Sequence, residues 1–217
     1  MAMRLQRLTL GFVCLLLLVS EPASAEEDWR QLFNGNDMTG WHHVGRGEFT
    51  VEKGALRTQG GMGLLWYKRE KIGEAVVRVV YKSDSPSANA GVFIRIPERP
   101  QDAWFPVHRG YKVKIQDTAD EFHRTGSIYS MSRADEFPPS KDGWNTLEIK
   151  LDGQQTIVSV NGKVVNSFDG AQPVPPRTKY YEPRRGPRPD HGYIGLQNYD
   201  EKSVAWFREI SIKPLAE

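Results

Sequence analysis

Cysteine is nearly missing from this 217-residue sequence, and its scarcity excludes several kinds of chemistry. The single cysteine, Cys14, lies within an apolar run at residues 8–19. If that run is removed with a leader peptide, the remaining chain carries no thiol. The mature protein is then predicted to have no disulfide, no catalytic thiol and no thiolate-bound metal.

An excess of charge of one sign is also missing, as are long apolar segments beyond the N-terminus. Lysine and arginine number 29 and aspartate and glutamate number 27, which gives a formal net charge of +2. Such a balance creates no broad electrostatic field that would attract nucleic acid or an anionic membrane. After residue 25, no stretch approaches the roughly 20 apolar residues that a membrane-spanning helix needs. We therefore predict no nucleic-acid partner and no membrane span in the mature chain, and the oligomeric state is left open.

The sequence lacks the common nucleotide-binding, esterase and metalloprotease motifs. Its five histidines are not at zinc-site spacing: they are His42, His43, His108, His123 and His191. We predict no cofactor and no preformed transition-metal site. A divalent metal held by ligands that converge from distant strands is left open.

The N-terminus has the order of a secretory signal peptide. Arg4 and Arg7 precede the apolar run at 8–19, and the small residues of Ala23-Ser24-Ala25 follow it. The run is shorter than the roughly 20 residues of a membrane span, which favours a cleaved signal over an uncleaved anchor. We predict a signal peptide at 1–25, a single β-sandwich domain at 26–217, and a periplasmic or secreted location.

Short alternating runs rich in β-branched residues dominate the rest of the chain. The clearest are residues 75–81, 91–96, 111–116, 146–151, 156–160, 193–197 and 205–212. Turn residues separate them, including Asp152-Gly153 and Asn161-Gly162, which are typical of tight hairpins. No window shows a long helical period and no internal repeat occurs. The pattern predicts an all-β sandwich or barrel.

Side-chain alternation divides three of these runs into two faces. Val92, Ile94 and Ile96 are predicted to share one face of their strand, as are Tyr111, Val113 and Ile115, and Ile194 and Leu196. The opposite faces carry Phe93, Arg95, Lys112, Lys114, Gln116, Gln197 and Tyr199. Two packed sheets explain the apolar faces as the core. The polar faces form either a binding site or an ordinary solvated surface.

Residues 172–190 differ from the rest, because they contain six prolines and four arginines. Proline removes ladder donors, so this segment is not a central strand. Two interpretations remain: a solvated surface loop, or a cleft wall that offers an arginine or Tyr180 and Tyr181 to a ligand. Trp104 lies in another loop-like segment, 101–106, and is the best candidate among six tryptophans for stacking on a sugar.

Seven short motifs resemble, in order, those of the 3-keto-disaccharide hydrolase domain family. LFNGNDMTGW at residues 32–41 is similar to the family's opening LFNGKDLTGW. The other six are GVFIR at 91–95, YKVKIQD at 111–117, TGSIY at 125–129, WNTLEI at 144–149, GYIGLQN at 192–198 and FREISI at 207–212. They span nearly the whole mature chain, so their order is more specific than any single motif.

The resemblance implies both a fold and an activity. The family has a concanavalin-A-like lectin/glucanase fold, a jelly-roll sandwich of two antiparallel sheets with one curved around a cleft. Its implied reaction cleaves glycosides that carry a ketone at C3: a base removes the C2 proton, the C1 substituent leaves, and water adds to the double bond. This chemistry needs a base of suitable pKa and a cation or donor near the enolate oxygen.

The resemblance and the strand faces together suggest site residues. Arg95 is predicted to stabilise the anionic oxygen and Gln197 to bind sugar hydroxyls. Asp117 is a candidate base, although it also suits a turn cap, and His108 and Asp120 are alternatives in loops. The other predicted substrate-binding residues are Lys114, Gln116, Tyr199, Arg208 and Trp104.

Three residues depart from the family pattern. Lys112 and Lys114 stand where the family's YEVQ has Glu and Gln, and Tyr199 stands where some members have His. These departures favour a second hypothesis, a lectin-like domain that binds a carbohydrate without cutting it. A third, a laminarinase-type glycosidase, requires Glu-x-Asp-x-x-Glu on one strand, a spacing that this sequence lacks.

Overall fold

The computed structural model describes residues 29–216, so the predicted signal peptide lies outside the described residues. Within this range the chain forms thirteen strands and one short helix. In order they are β1 (Arg30–Gln31), β2 (Trp41–Gly45), β3 (Glu48–Glu52), β4 (Ala55–Gln59), β5 (Gly63–Tyr67), β6 (Ala75–Ser83), β7 (Ala90–Ile96), α1 (Phe105–Arg109), β8 (Tyr111–Ile115), β9 (Asn145–Asp152), β10 (Gln155–Val160), β11 (Lys163–Asp169), β12 (Tyr193–Asn198) and β13 (Ala205–Pro214).

The strands form two antiparallel sheets. The larger has eight strands in the order β11-β10-β9-β6-β13-β4-β3, with β1 also paired to β13, and the smaller has the order β2-β5-β12-β7-β8. All seven runs predicted from alternation are strands. Asn161 and Gly162 join β10 to β11 with φ of 51° and 79°, as expected for a tight hairpin. The predicted all-β sandwich is confirmed.

The main core lies between the two sheets. From β8 it receives Tyr111, Val113 and Ile115, and from β12 it receives Ile194 and Leu196, as the alternation predicted. A second, smaller apolar cluster lies on the outer face of the five-stranded sheet. Its members are Leu64, Trp66, Phe93, Ile96, Ala103 and Val107. Helix α1 and the segment before it therefore cover part of that face.

Strand β7 departs from simple alternation at Arg95. This residue has φ of 53°, and the pairing of β7 with β12 shifts by one residue at the same level. Such a bulge turns the following side chain to the other face. Ile96 consequently joins Phe93 in the outer cluster instead of sharing the core face with Ile94. The predicted placement of Ile96 was wrong for this reason.

The same bulge removes Arg95 from the outer face of the sheet, where the alternation had placed it. Its side chain is 1% exposed. The guanidinium donates hydrogen bonds to the carbonyls of Gly153 and Gln155 in the β9–β10 hairpin, and to Pro189 O at 3.2 Å. It also contacts the Asp190 carboxylate at 3.4 Å. Arg95 therefore connects the two sheets and the 172–190 loop.

Residues 29–216 include no helix with the length and apolar character needed to cross a membrane.

Candidate functional site

A pocket of about 310 Å³ lies on the outer face of the five-stranded sheet; we call it the sheet pocket. Strands β8 and β12, with β7 between them, form its floor, and both α1 and the 172–190 loop contribute lining residues. The lining residues are Asn89, Trp104, Val107, Lys112, Lys114, Tyr129, Tyr180, Tyr181, Gln197 and Tyr199. Buried polar groups on the floor and aromatic rings on the walls give it the character of a small-molecule site.

Two lysines occupy the centre of the floor. Lys112 and Lys114 are two residues apart on β8, so their side chains leave the same face. Their Nζ atoms donate hydrogen bonds to one acceptor, Asn89 Oδ1, at 3.1 and 2.6 Å. Lys114 also donates to Gln116 Oε1 at 2.8 Å. The side chains are only 6% and 2% exposed, and no carboxylate within residues 29–216 forms a salt bridge with either lysine.

A glycine on the neighbouring strand creates the space for Lys112. Gly91 on β7 faces the lysine stem, and a Cβ atom there would lie 2.5 Å from Lys112 Cε and 2.8 Å from the Val113 carbonyl oxygen. Any other residue would have to displace the lysine or the strand. The glycine of the GVFIR motif therefore has a defined role beside the site.

Burial gives the two lysines unequal pKa values. The pKa of Lys112 lies well below its usual range because burial disfavours the ammonium form, and the nearby Lys114 lowers it further. Burial lowers the pKa of Lys114 to about 8, while interaction with Lys112 and the carboxylates of Asp120 and Asp200 opposes this effect. Burial therefore weakens the ammonium form of both lysines, and the charge on Lys114 weakens that of Lys112 further.

Aromatic rings surround the amino groups. Lys112 Nζ lies 5.7 Å from the ring centroids of both Tyr129 and Tyr199, and the Nζ atom of Lys114 lies 5.8 Å from that of Tyr129. Burial raises the pKa of Tyr129 to about 12, so this phenol stays protonated. At the rim, Trp104, Tyr180 and Tyr181 are exposed, as is Tyr199. Exposed flat rings of this kind suit stacking against a sugar.

Gln197 contributes an unsatisfied acceptor to the floor. Its side chain is buried, and its Nε2 contacts Met62 Sδ at 3.5 Å. Within residues 29–216, Gln197 Oε1 has no hydrogen-bond partner. A buried acceptor without a donor destabilises the empty protein. A ligand hydroxyl would satisfy it.

The 172–190 loop reaches the pocket through its tyrosines, not its arginines. Arg188 is buried and donates to the carbonyls of Gly110, His108 and Arg184, with its guanidinium 4.9 Å from the centroid of the Tyr111 ring. Arg185 likewise binds carbonyls within the loop. These interactions hold the loop on the sheet, so that Tyr180 and Tyr181 line the pocket. The cleft-wall interpretation of this segment agrees with the structure.

The predicted site residues fall into two groups. Those in or next to the sheet pocket are Lys114, Gln197, Tyr199 and Trp104, which line it, and Gln116, which accepts a hydrogen bond from Lys114. The others lie outside the pocket lining: Arg95 beneath the 172–190 loop, Asp117 just after β8, His108 on α1 and Arg208 on β13. These four are not positioned to touch a ligand in the pocket.

Each of the remaining three has a local structural partner. Asp117 accepts a 2.6 Å hydrogen bond from Thr125 Oγ1, and burial raises its pKa. His108 on α1 stacks on Trp104 and its Nδ1 lies 3.2 Å from Glu182 O. Arg208 belongs to the eight-stranded sheet, with its guanidinium 4.5 Å from the Trp144 ring centroid.

The sequence interpretation did not assign four of the lining residues to a site: Asn89, Val107, Lys112 and Tyr129. Lys112 was noted only on the polar face of its strand and as a departure from the family pattern. Asn89 precedes β7 in a loop, and no pattern marks it. Tyr129 ends the TGSIY motif, which runs along the outer edge of β8. The backbone N–H of Tyr129 donates a hydrogen bond to Lys112 O at 2.9 Å. The motif itself was therefore the available signal. No group of three or more His, Cys, Asp or Glu side chains among residues 29–216 is arranged to hold a metal ion.

The sequence matches the family of 3-keto-alpha-glucoside-1,2-lyase-like domains over residues 28–213. The chain belongs to this family. Among curated protein sequences, none matches the chain significantly. Compared with the motifs of 3-keto-alpha-glucoside-1,2-lyase-like domains, the three departures Lys112, Lys114 and Tyr199 all line the sheet pocket.

Solved structures with the same fold include two candidate glycosyl hydrolases from Parabacteroides distasonis ATCC 8503. One is 22% identical, with a TM-score of 0.68, over 86% of this chain and 99% of that one. The other is 18% identical, with a TM-score of 0.69, over 87% and 94%. The carbohydrate binding module CBM66 from Bacillus subtilis is 14% identical, with a TM-score of 0.53, over 80% and 95%. These likenesses show the sandwich fold.

Proposed function

We propose that this protein cleaves 3-keto-glycosides in the sheet pocket by loss of the C2 proton and expulsion of the C1 substituent. Family membership supports the substrate class. The observation that carries the proposal is the buried pair of Lys112 and Lys114, whose Nζ atoms share the acceptor Asn89 Oδ1 and whose pKa values are both lowered by burial. In this proposal Lys112 acts as the amine and Lys114 as the ammonium group. Elimination next to a ketone needs both a basic group and a cation.

The lysine pair matches the charge that develops in this reaction. Removal of the C2 proton transfers negative charge to the C3 oxygen, and the Lys114 ammonium group is the cation available to stabilise it. The stabilisation is strong because the group is buried and already held by Asn89 and Gln116. The amine of Lys112 promotes the same proton loss, either as a base or by adding to the ketone.

The rest of the pocket fits a sugar. Gln197 Oε1 is a free acceptor for a hydroxyl group, and the rim offers the faces of Trp104, Tyr180 and Tyr181. A volume of about 310 Å³ is at the lower end of small-molecule pockets, which suits a single sugar unit with its aglycone toward the solvent. We propose a carbohydrate as the ligand on this basis.

A second candidate function is a non-catalytic carbohydrate-binding domain. It is favoured by the replacement of family residues at Lys112, Lys114 and Tyr199, and by the aromatic rim. A binding domain would hold unoxidised glycans as well as ketones, since stacking and hydroxyl contacts do not depend on C3.

Turnover of a 3-keto-glucoside with a chromogenic aglycone tests the two candidates. We expect the wild type to release the aglycone and Lys114→Gln to reduce kcat/KM at least a hundredfold, about 2.7 kcal/mol of transition-state stabilisation. Lys150→Gln, on the surface of β9, serves as the matched control. Binding of the glucoside without release would reject the catalytic proposal and support the binding domain.

Export is part of the proposal, because the sequence begins like a secretory signal and extracytoplasmic glycans would then be the accessible substrates. Fractionation of expressing cells, with N-terminal sequencing of the mature protein, tests it. Recovery of an unprocessed chain in the cytoplasm would contradict export.

A further inference from the structure

The sheet pocket holds an amine whose chemistry goes beyond proton transfer. Lys112 Nζ has one hydrogen-bond acceptor, Asn89 Oδ1, and is surrounded by the rings of Tyr129 and Tyr199. A desolvated lysine next to a second cationic group is the usual arrangement for attack on a carbonyl carbon. The proposed substrate carries such a carbon at C3.

We propose that Lys112 forms a covalent imine with the C3 ketone of the substrate, and that Lys114 transfers the protons of the reaction. This inference rests on the proposed function, which supplies the ketone. It assigns different roles to two neighbouring lysines that the fold places on the same face of β8.

The first step is balanced by the two lysines alone. The Lys112 nitrogen adds to C3 and the carbonyl oxygen becomes a hydroxyl group. Loss of that hydroxyl as water requires a proton, which the Lys114 ammonium group donates. The products are a Lys112 iminium ion, one water molecule and an uncharged Lys114 amine. Net charge is conserved, since the positive charge has passed from Lys114 to Lys112.

The second step uses the amine that the first step created. A new positive charge on Lys112 lowers the pKa of Lys114, which favours its uncharged form. Lys114 then takes the C2 proton, and the C2–H electron pair forms an enamine with the iminium group. The enamine expels the C1 substituent, which leaves as the free alcohol with the proton that Lys114 took from C2. Water then adds across the C1–C2 double bond, with its hydroxyl group on C1 and its proton on C2. Hydrolysis of the iminium ion by a second water molecule restores the ketone and the Lys112 amine, and the released proton returns to Lys114.

Local structure supports the nucleophilic role of Lys112. Gly91 leaves open the space that the lysine stem occupies, so the stem lies along the floor with its amine in the pocket. The absence of a salt bridge to Lys112 within residues 29–216 means that no ionic contact must be broken before attack. Asn89 itself is fixed by a 2.8 Å hydrogen bond from its backbone N–H to Ser203 Oγ.

Borohydride reduction tests the imine directly. The protein is incubated with methyl 3-keto-glucoside, whose only carbonyl is the ketone, and sodium borohydride is added. We expect the intact mass to rise by that of the sugar less one oxygen atom, or by the corresponding aglycone-free fragment. Peptide mapping should place the adduct on Lys112. Lys112→Arg, which keeps a cation but cannot form an imine, should lower labelling at least tenfold.

Controls separate this inference from the proposed function. Peptide mapping of the wild type needs no variant, so poor folding of Lys112→Arg does not affect the result. Lys150→Arg should be labelled like the wild type. Aglycone release by a wild type that is never labelled on Lys112 would overturn the imine and leave the proposed function intact. If the wild type is neither labelled nor releases the aglycone, the imine and the proposed function are both rejected. Equal labelling of surface lysines would reject the special role of Lys112.

Discussion

Lys112 and Lys114 donate hydrogen bonds to the same oxygen atom, Oδ1 of Asn89, at 3.1 and 2.6 Å. One amide oxygen thereby holds two amino groups close together on a buried sheet face. Burial lowers the pKa of both lysines, and the neighbouring Lys114 lowers that of Lys112 further.

Replacing Lys114 with methionine should change how stability depends on pH. The pKa of Lys114 is about 8 in the folded protein and near 10.5 when exposed. Between these values the unfolded chain binds the extra proton, so rising pH stabilises the folded wild type. Relative to Lys114→Met, the free energy of unfolding should rise by about 3 kcal/mol from about pH 8 to 10.5. Urea denaturation at several pH values measures it.

The surface variant Lys150→Met is the control for this experiment. It should show no comparable trend relative to the wild type. The lowered pKa of Lys114 would be contradicted if the difference in free energy of unfolding between the wild type and Lys114→Met stayed constant across the same pH range. Comparison with the variant also cancels the titration of tyrosines, which both proteins share.

Replacing Asn89 with aspartate should raise the pKa of both lysines. A carboxylate in contact with two amino groups favours their charged forms, and the two side chains have nearly the same shape. Lys112 should then be an ammonium near neutral pH, so borohydride labelling should fall at least tenfold and recover as the pH is raised. Labelling unchanged at neutral pH would show that Asn89 does not control the charge of Lys112.

Replacing Gln197 with methionine should separate ligand binding from stability. The change removes a buried acceptor that has no partner within residues 29–216, so the free energy of unfolding should stay within about 1 kcal/mol of the wild type or increase. Affinity for a 3-keto-glucoside should fall roughly tenfold. Calorimetry and thermal denaturation measure the two effects. Gln101→Met, outside the sheet pocket, is the control. An unchanged affinity of Gln197→Met for the 3-keto-glucoside would show that Gln197 does not contact the ligand.

Replacing Arg95 with alanine should destabilise the protein without removing the chemistry. The substitution leaves the carbonyls of Gly153, Gln155 and Pro189 without their donor. We expect the free energy of unfolding to fall by about 2–4 kcal/mol. The kcat of the folded fraction should stay within about threefold of the wild type, which corresponds to a change of less than about 1 kcal/mol in the activation free energy.

Arg208→Ala is the matched comparison, because this arginine is exposed on the other sheet. Its effect on stability should be below about 1 kcal/mol. A kcat that falls a hundredfold in Arg95→Ala while the protein remains folded would restore Arg95 as the residue that stabilises the anionic oxygen.

Local sequence was sufficient for the strands and for part of the site. A strand repeats every two residues, so the order Tyr-Lys-Val-Lys-Ile is enough to place Lys112 and Lys114 opposite Val113. The same period placed Gln197 opposite Leu196. Asn161-Gly162 predicted its hairpin because both residues tolerate the left-handed conformation that the turn requires.

The period of two failed where the tertiary structure imposed a bulge. Arg95 is not glycine, so nothing in the local pattern announces its φ of 53°. That conformation is maintained by partners from the β9–β10 hairpin and the 172–190 loop, which are distant in sequence. The resulting change of face moved Ile96 outward and Arg95 out of the predicted site.

The sequence by itself determined an all-β chain with two lysines on the polar face of one strand. Only the tertiary structure decided that this face would be a pocket, because Asn89, Tyr129 and Tyr181 converge on it from segments far apart in the chain. It also lowered the pKa values of the two lysines. A pKa depends on burial and on neighbouring charges, and both are properties of packing rather than of sequence order.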